Sequence, residues 1–553
     1  MKKFKQVFLG LLTVSVSILV LSACGNSDSS SNNENGSGDN GTVKIDDDHS
    51  VGAMDDFKAG EQFKATEPLT ISMMFSDHPN YPYDKEWLFF SKLKEMTDVE
   101  FDMTVIPSSD YEQKRSLMIS AGESPIIIPK SYPGTENAFV TSGAILPVSD
   151  YIEYMPNFQE KVEKWDIEST LDTLRQSDGK YYNLPGLHEN VWPDYTLAYR
   201  KDILDENGWS IPETWDEFKT LLENMKEKYP DKVPFSDRWQ GQALLNYAAA
   251  SFGTKGGWGY SGTTFDEDKG EFVYTGTTNE YREMVTYFNS LVDEGLMDKE
   301  SFTQDDEQAL QKFVTGETFV ISTNGQELIN MGVTMDSNLG EGNYEVVKGL
   351  TPEGPAGAVI GGNQLENGIM ISSKIKDSPN FKAILQLIDW LWYSDEGQIF
   401  AKWGVEGETY TLEDDKYTLT SDINFKGLNP SGTKDLQKDY GFSGGNFAYG
   451  GSTDLLYSTM SDEEVKWLEE MADKREQTEA EPAAPLSETD QEQASLLATP
   501  IKDFVDQSTL QFIVGQRDLS DWDAYAEEVV SKGSDRYLDM VNNAYEEYQK
   551  NNE

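Results

Sequence analysis

The chain has 553 residues, with 45 Lys+Arg against 98 Asp+Glu, a net charge of −53 and a single cysteine. A chain this acidic, with no basic run anywhere, excludes nucleic acid and anionic membrane surfaces as partners, since both require a positive footprint. One cysteine excludes an internal disulfide, so the fold must rest on its core.

The N-terminus has the layout of a secretory signal: Lys2, Lys3 and Lys5 precede an apolar run from Val7 to Leu21. That run is about 15 residues, short of the roughly 20 that span a bilayer. Leu21-Ser22-Ala23-Cys24 resembles the bacterial lipobox. The resemblance implies that 1–23 is a signal peptide and that Cys24 is lipidated as the first mature residue; the plainer alternative is an ordinary signal with an incidental cysteine. Residues 24–65 are dominated by Ser, Asn, Gly and Asp and are expected to be a flexible linker.

Folded structure is expected from Pro68. Leu69, Ile71, Met73 and Phe75 alternate as in a strand, and Trp87, Phe90 and Leu93 have helical spacing. Phe101, Met103 and Val105 alternate again, a helix follows over 110–121, and then comes Ile126-Ile127-Ile128. This succession predicts parallel strands in an α/β domain. A second unit opens at 214–228, where Thr214 and Glu217 form a capping box and Phe218, Leu221, Leu222 and Met225 a buried stripe. Further amphipathic helices are expected over 381–392, 521–530 and the C-terminal stretch. Residues 473–495 are acidic and Pro-interrupted and read as an exposed loop.

Seven segments in order are similar to the extracellular solute-binding proteins of family 1, the lipid-anchored receptors of bacterial carbohydrate ABC importers, themselves distantly similar to maltodextrin-binding protein. They are GAILPVSDYI (143–152), SDGKYYNLPG (177–186), LAYRKDILDENG (197–208), IPETWDEFKTLL (211–222), ALQKFVTGETFVIST (309–323), LIDWLWYSDEGQIFAKWGVEGETYT (387–411) and FIVGQRDLSDWDAYAEEV (512–529). The resemblance implies an α/β, two-lobed clamp of the type II periplasmic-binding-protein kind, with discontinuous lobes, a hinge and the ligand in the cleft between them. Lobe one is expected at 66–195 plus 358–410, and lobe two at 196–357 plus 411–553. It further implies a monomer on the outer face of a Gram-positive cell membrane, whose partners are an oligosaccharide and the permease subunits of the importer.

Sugar recognition needs aromatic faces for pyranose rings and polar side chains for hydroxyls, on loops at strand ends. In the first lobe this selects Asp77, His78, Asn80, Tyr81 and Tyr83 after the first strand, and Tyr132 after the Ile triplet. The first crossover offers Glu189, Trp192, Asp194 and Tyr195. In the second lobe it selects Arg238, Trp239, Trp258 and Tyr260. Asn324 and Gln326 stand where distant relatives of the family often carry Trp, a departure that puts stacking there in doubt. Asn363, Trp403, Glu406 and Phe447 complete the set. Tryptophans bordered by glycine, Trp258 and Trp403, rank above those in helical stripes. Only Lys130, Arg200 and Arg238 in the candidate loops could neutralise an acidic sugar, which favours a neutral oligosaccharide of more than two units.

Other motifs carry little. GGWGYSG (256–262) contains GxGxxG without a strand running into it, so it does not read as a dinucleotide site. The three histidines share no metal-ligand spacing, and no DxDxDG order marks a calcium loop, so no cofactor is expected. A glycan hydrolase with paired carboxylates is the enzymatic alternative, disfavoured because acidic pairs are everywhere in this chain. The same clamp binding a peptide or signal for a sensor is the other.

Overall fold

The computed structural model describes residues 43–414 and 416–552. Cys24, the signal segment and the first part of the expected linker lie outside the described residues.

The alternating apolar residues build the first sheet. Leu69–Asp77 pairs in parallel with Val99–Pro107, from Leu69 opposite Val99 to Asp77 opposite Pro107, and with Ile127–Ser131 through Met73 and Ile127. Helices Leu88–Thr97 and Tyr111–Ser120 supply the crossovers that parallel strands require. The sheet is finished from far along the chain: Leu365–Ile371 runs antiparallel between Ile127–Ser131 and Asn183–Leu187. Behind it lies helix Phe381–Tyr393, buried at every position except Lys382, which is why it is apolar all round. Its one carboxylate, Asp389, accepts from the backbone N–H of Asn157 and Phe158 at 2.9 and 2.8 Å and from Asn157 Nδ2 at 2.7 Å. It thereby satisfies the open N–H groups at the start of helix Pro156–Lys164.

Two sequence expectations change here. The linker expected up to residue 65 is already packed from Val43: Ala53, Phe63 and Ala65 are buried in the first core, and Met54 exchanges hydrogen bonds with Gln386. Isolated apolar residues in a polar stretch carry no period, so this docking left no local signal. Residues 410–455 likewise contribute Tyr410, Leu419, Phe442, Tyr449 and Leu455 to the first core, whereas the expected boundary placed everything after 410 in the second lobe.

The second core surrounds an antiparallel sheet ordered Val320–Thr323, Thr196–Arg200, Val346–Lys348. Thr214 accepts from Glu217 N at 3.1 Å to cap helix Trp215–Lys228, an interaction worth about 1 kcal/mol. Phe218, Leu221, Leu222 and Met225 face inward as their spacing requires. The stretch read as a loop over 473–495 is partly structured, with Arg475 buried and helix Glu488–Ile513 starting inside it. Glu481 pins it by pairing with Lys255 and accepting from Phe265 N at 3.0 Å. An acidic side chain served there as the anchor that hydrophobic spacing could not reveal.

Candidate ligand-binding cleft

The chain passes between the cores three times, through 188–195, 349–364 and 450–461. His188 Nε2 meets Glu366 at 2.8 Å, and the same carboxylate oxygen accepts from Gly450 N at 2.9 Å. One carboxylate, on the strand that follows the second crossing, thus ties the first crossing to the third. Burial opposes its charge, yet the hydrogen bond from His188 and the charge of Lys402 hold Glu366 below its ordinary value. Gly450 has φ +51, and a Cβ there would lie 2.2 Å from Leu187 O, so only glycine fits this junction.

On the second-lobe side, three expected residues from separate segments meet. Tyr195 lies 5.3 Å from Trp239 and 5.2 Å from Trp258, ring centre to ring centre, both edge-on, and the two indoles are 5.7 Å apart. Trp258 remains 49% exposed. The glycines of its segment are explained by packing: Gly257 has φ +53, and a Cβ would meet Gln242 O at 1.9 Å. That close approach of backbone to helix Gln242–Ala249 turns the indole outward. Trp239 and Gln240 are held in the left-handed region, at φ 53 and 54, with Trp239 N donating to Asp306 Oδ1 at 2.9 Å. The Arg238 guanidinium lies 4.0 Å over the Trp239 ring and 2.8 Å from Glu327, an ion pair without hydrogen-bond alignment. Behind it Asp237 accepts from Ser322 N at 2.9 Å, and burial pushes its carboxyl up to about 6.

On the first-lobe side, His78 and Tyr81 stack at 4.4 Å across a tight turn, and Asn80 N donates to His78 Nδ1 at 3.2 Å. Burial and then the nearby Lys130 ammonium hold the His78 pKa below its ordinary value. Asp77 Oδ1 accepts from Tyr83 N at 2.7 Å and shapes the same loop. Tyr132, just after strand Ile127–Ser131, is 50% exposed.

Other expected residues serve structure. Asn324 Oδ1 accepts from Glu327 N at 2.8 Å as the cap of helix Gly325–Leu339, and Gln326 on its first turn is exposed and donates to Asn330. Asp194 accepts from Gly325 N at 3.4 Å. Glu189 accepts from Thr453 N at 2.8 Å, Trp192 stacks on His188, and Asn363 accepts from Leu365 N at 2.8 Å, all within the crossings.

Three expectations are corrected, Trp403, Phe447 and Tyr260, and two more residues, Tyr83 and Glu406, stand apart from the ring cluster. Trp403 is 1% exposed, stacked on Tyr417 and donating to Ser458 Oγ at 2.9 Å. Phe447 packs 4.3 Å from Phe89 inside the first core, and Tyr260 lies in the second core beside Tyr274 and Tyr281. Tyr83 packs on Phe75, Trp87 and Phe90, while Glu406 is exposed in a turn beside the Tyr410–Glu413 strand. The apolar surface of these rings is satisfied by protein.

Lys426 was not anticipated; its backbone is left-handed at φ 47 and its ammonium lies 5.2 Å from the centre of the Phe425 ring. Nothing but an adjacent glycine marks it in the sequence. Of the cations that were anticipated, Arg200 is engaged bidentately by Asp202 at 2.6 and 2.8 Å. A separate cavity of about 1190 Å³ lies between the Tyr410–Leu419 hairpin and the helices after Ser452, lined by Tyr417, Tyr457 and Met460. It touches none of Tyr195, Trp239 and Trp258, so the convergence of rings, not the size of the void, marks the candidate site. Among the described residues no group of three or more His, Cys, Asp or Glu could hold a metal ion, and no helix is long and apolar enough to cross a membrane.

Two α/β lobes joined by three crossings, with Trp258 and Tyr132 left exposed, define a clamp-type solute-binding protein. The family of bacterial extracellular solute-binding proteins matches residues 81–399, and the chain belongs to it. It is 24% identical to the fructooligosaccharide ABC transporter substrate-binding protein FusA of Streptococcus pneumoniae over 99% of both chains. It is 26% identical to lipoprotein LipO of Bacillus subtilis over 62% of this chain and 67% of that one. The alginate-binding protein AlgQ2 superposes with a TM-score of 0.68 at 17% identity, over 88% of this chain and 99% of that one. The FusA structure with kestose gives 0.63 at 21% identity, over 87% and 100%. The two-lobed fold is therefore shared with known sugar-binding clamps.

Proposed function

We propose that the protein is the substrate-binding receptor of a carbohydrate ABC importer, capturing an oligosaccharide between its lobes and presenting the closed form to the permease. The observation that carries this is the meeting of Tyr195, Trp239 and Trp258 from three segments, with Trp258 left exposed. Uncovered ring faces suit the apolar faces of pyranoses, and a soluble protein leaves them open where a ligand covers them. The substrate named for FusA and the family match support an oligosaccharide. The three crossings, the first tied to the third at Glu366, are the hinge, and ligand closes it only by binding the closed form better than the open one.

The finer reading is a monomer without cofactor or catalysis, tethered to the outer face of the membrane through lipid on Cys24. Thermal melting of the protein with a panel of plant, host and fungal oligosaccharides tests the binding claim: a specific ligand raises the midpoint by mass action, and chromatography recovers it uncleaved. A panel that leaves the midpoint unmoved, or sugars recovered as fragments, would refute the reading. Radiolabelled palmitate incorporated by the protein and lost in Cys24→Ser tests the anchor.

A further inference from the structure

Outside the three crossings, the lobes meet again through a row of side-chain amides. Gln491 Nε2, near the start of helix Glu488–Ile513, donates to Gln176 Oε1 at 2.9 Å. Gln176 Nε2 in turn donates to Asn137 Oδ1 at 2.9 Å. Gln491 belongs to the helix that sends Ile501, Val505 and Phe512 into the second core, whereas Gln176 closely follows Leu171 and Leu174 of the first. None of the three amide residues lies in 188–195, 349–364 or 450–461, so this contact is separate from the hinge.

Both glutamines are presented by fixed backbone. Gln176 N donates to Lys180 O and Gly179 N to Gln176 O, each at 2.8 Å, which closes a tight turn. Ser487 Oγ accepts from Asp490 N at 3.2 Å and Ser487 O from Gln491 N at 2.8 Å, which secures the helix start. The far end of the row, Asn137, belongs to the turn that carries Tyr132. There Tyr132 O accepts from Thr135 N at 3.0 Å, and Gly134 O from Asn137 N at 3.4 Å. The same turn holds Glu136 only 1% exposed, with Oε2 lacking a hydrogen-bond partner among the described residues. Burying an underbonded carboxyl opposes that conformation, so the turn needs a hold from outside itself, and Gln176 supplies one.

We propose that Gln176 and Gln491 form a latch between the lobes, and that Gln176 is a positioning residue which, through Asn137, sets the Tyr132 turn when the lobes meet. A bond between the lobes exists only while they are together, so it favours the closed form over the open one. Amides suit the task. Each offers a donor and an acceptor, so the row passes from lobe to lobe with no charge to desolvate, and its bonds are weak enough to break on opening.

Pulsed dipolar spectroscopy between nitroxide labels tests the latch without any sugar, so its outcome is separate from that of the oligosaccharide reading. The labels go on Leu117→Cys of helix Tyr111–Ser120 and Val530→Cys of helix Trp522–Ser531, both exposed, in a Cys24→Ser background that removes the sole native cysteine. Gln176→Glu with Gln491→Glu sets two carboxylates face to face and should raise the open fraction about three-fold at neutral pH. Gln176→Glu with Gln491→Lys should return it to the parental value, and both effects should fade in roughly 1 M salt. Equal distances in all three proteins, or a shift that ignores the sign of the charge, would overturn the latch. Hydrogen exchange reads the relay: Gln176→Ala and Gln491→Ala should each speed the amides of 135–139 about three-fold. Exchange that rises only with Gln176→Ala would reduce Gln176 to a local brace and overturn the coupling between lobe and turn.

Discussion

Trp258 and Trp403 share a local signature, an indole next to glycine, and the structure gives them opposite fates. Trp258 sits in a tight turn whose backbone presses against helix Gln242–Ala249, and its ring is driven outward. Trp403 ends helix Asp395–Trp403, and the hairpin that follows folds back so that Tyr417 stacks on it at 5.0 Å. The difference lies in what later chain does. Glycine gives a ring freedom to turn, and a distant element decides whether water or protein meets it.

Three substitutions and a pH titration would break or sharpen this contrast. Trp403→Ala should cost about 3–5 kcal/mol of stability, read by denaturant unfolding, because it leaves a cavity under the hairpin. A loss under 1 kcal/mol would mean that the hairpin does not cover the ring. Trp258→Ala should leave the unfolding midpoint nearly unchanged and weaken ligand about thirty-fold by calorimetry, as loss of a central aromatic anchor does. An unaltered affinity would remove Trp258 from the site. Gly257→Ala should lower stability by about 1–3 kcal/mol and affinity together, since a Cβ at φ +53 would strain the turn and meet Gln242 O. If only stability falls, the turn does not orient the indole.

The smallest effect concerns the crossings, and it separates hinge from wall. Glu366 has a folded-state pKa below its ordinary 4.5, so its ionised form stabilises the fold above the unfolded value, and that contribution is lost as pH falls through the folded one. Melting midpoints from pH 7 down to 3 should therefore fall more steeply for the parent than for Glu366→Gln. Parallel profiles would show that the carboxylate does not hold the crossings together.

Much of the first sheet was legible because parallel strands alternate with helices on a short period: Leu69 to Phe75, the helix at 88–97 and Ile127 stand as the spacing predicts. The antiparallel Leu365–Ile371 strand, inserted between Ile127–Ser131 and Asn183–Leu187, was not, since strand pairing across that separation has no local cause. In the candidate site, Tyr195, Trp239 and Trp258 could be picked because loop aromatics beside Gly, Arg and Asp are unusual. Phe447 and Tyr260 matched the same description and proved to be core, because burial is settled by neighbours the sequence does not name. Lys426 escaped for the converse reason, being an ordinary lysine that becomes notable only through its left-handed backbone.

The scattered origin of the first core bears on how the chain is made. Its central sheet needs a strand from 365–371, its main helix ends at Tyr393, and Phe442, Tyr449 and Leu455 close its far side. More than four-fifths of the polypeptide must emerge before the lobe that begins at its N-terminal end can finish assembling. Contacts so distant along the chain form slowly. The same delay would keep the chain threadable through an export channel until its last apolar partners arrive.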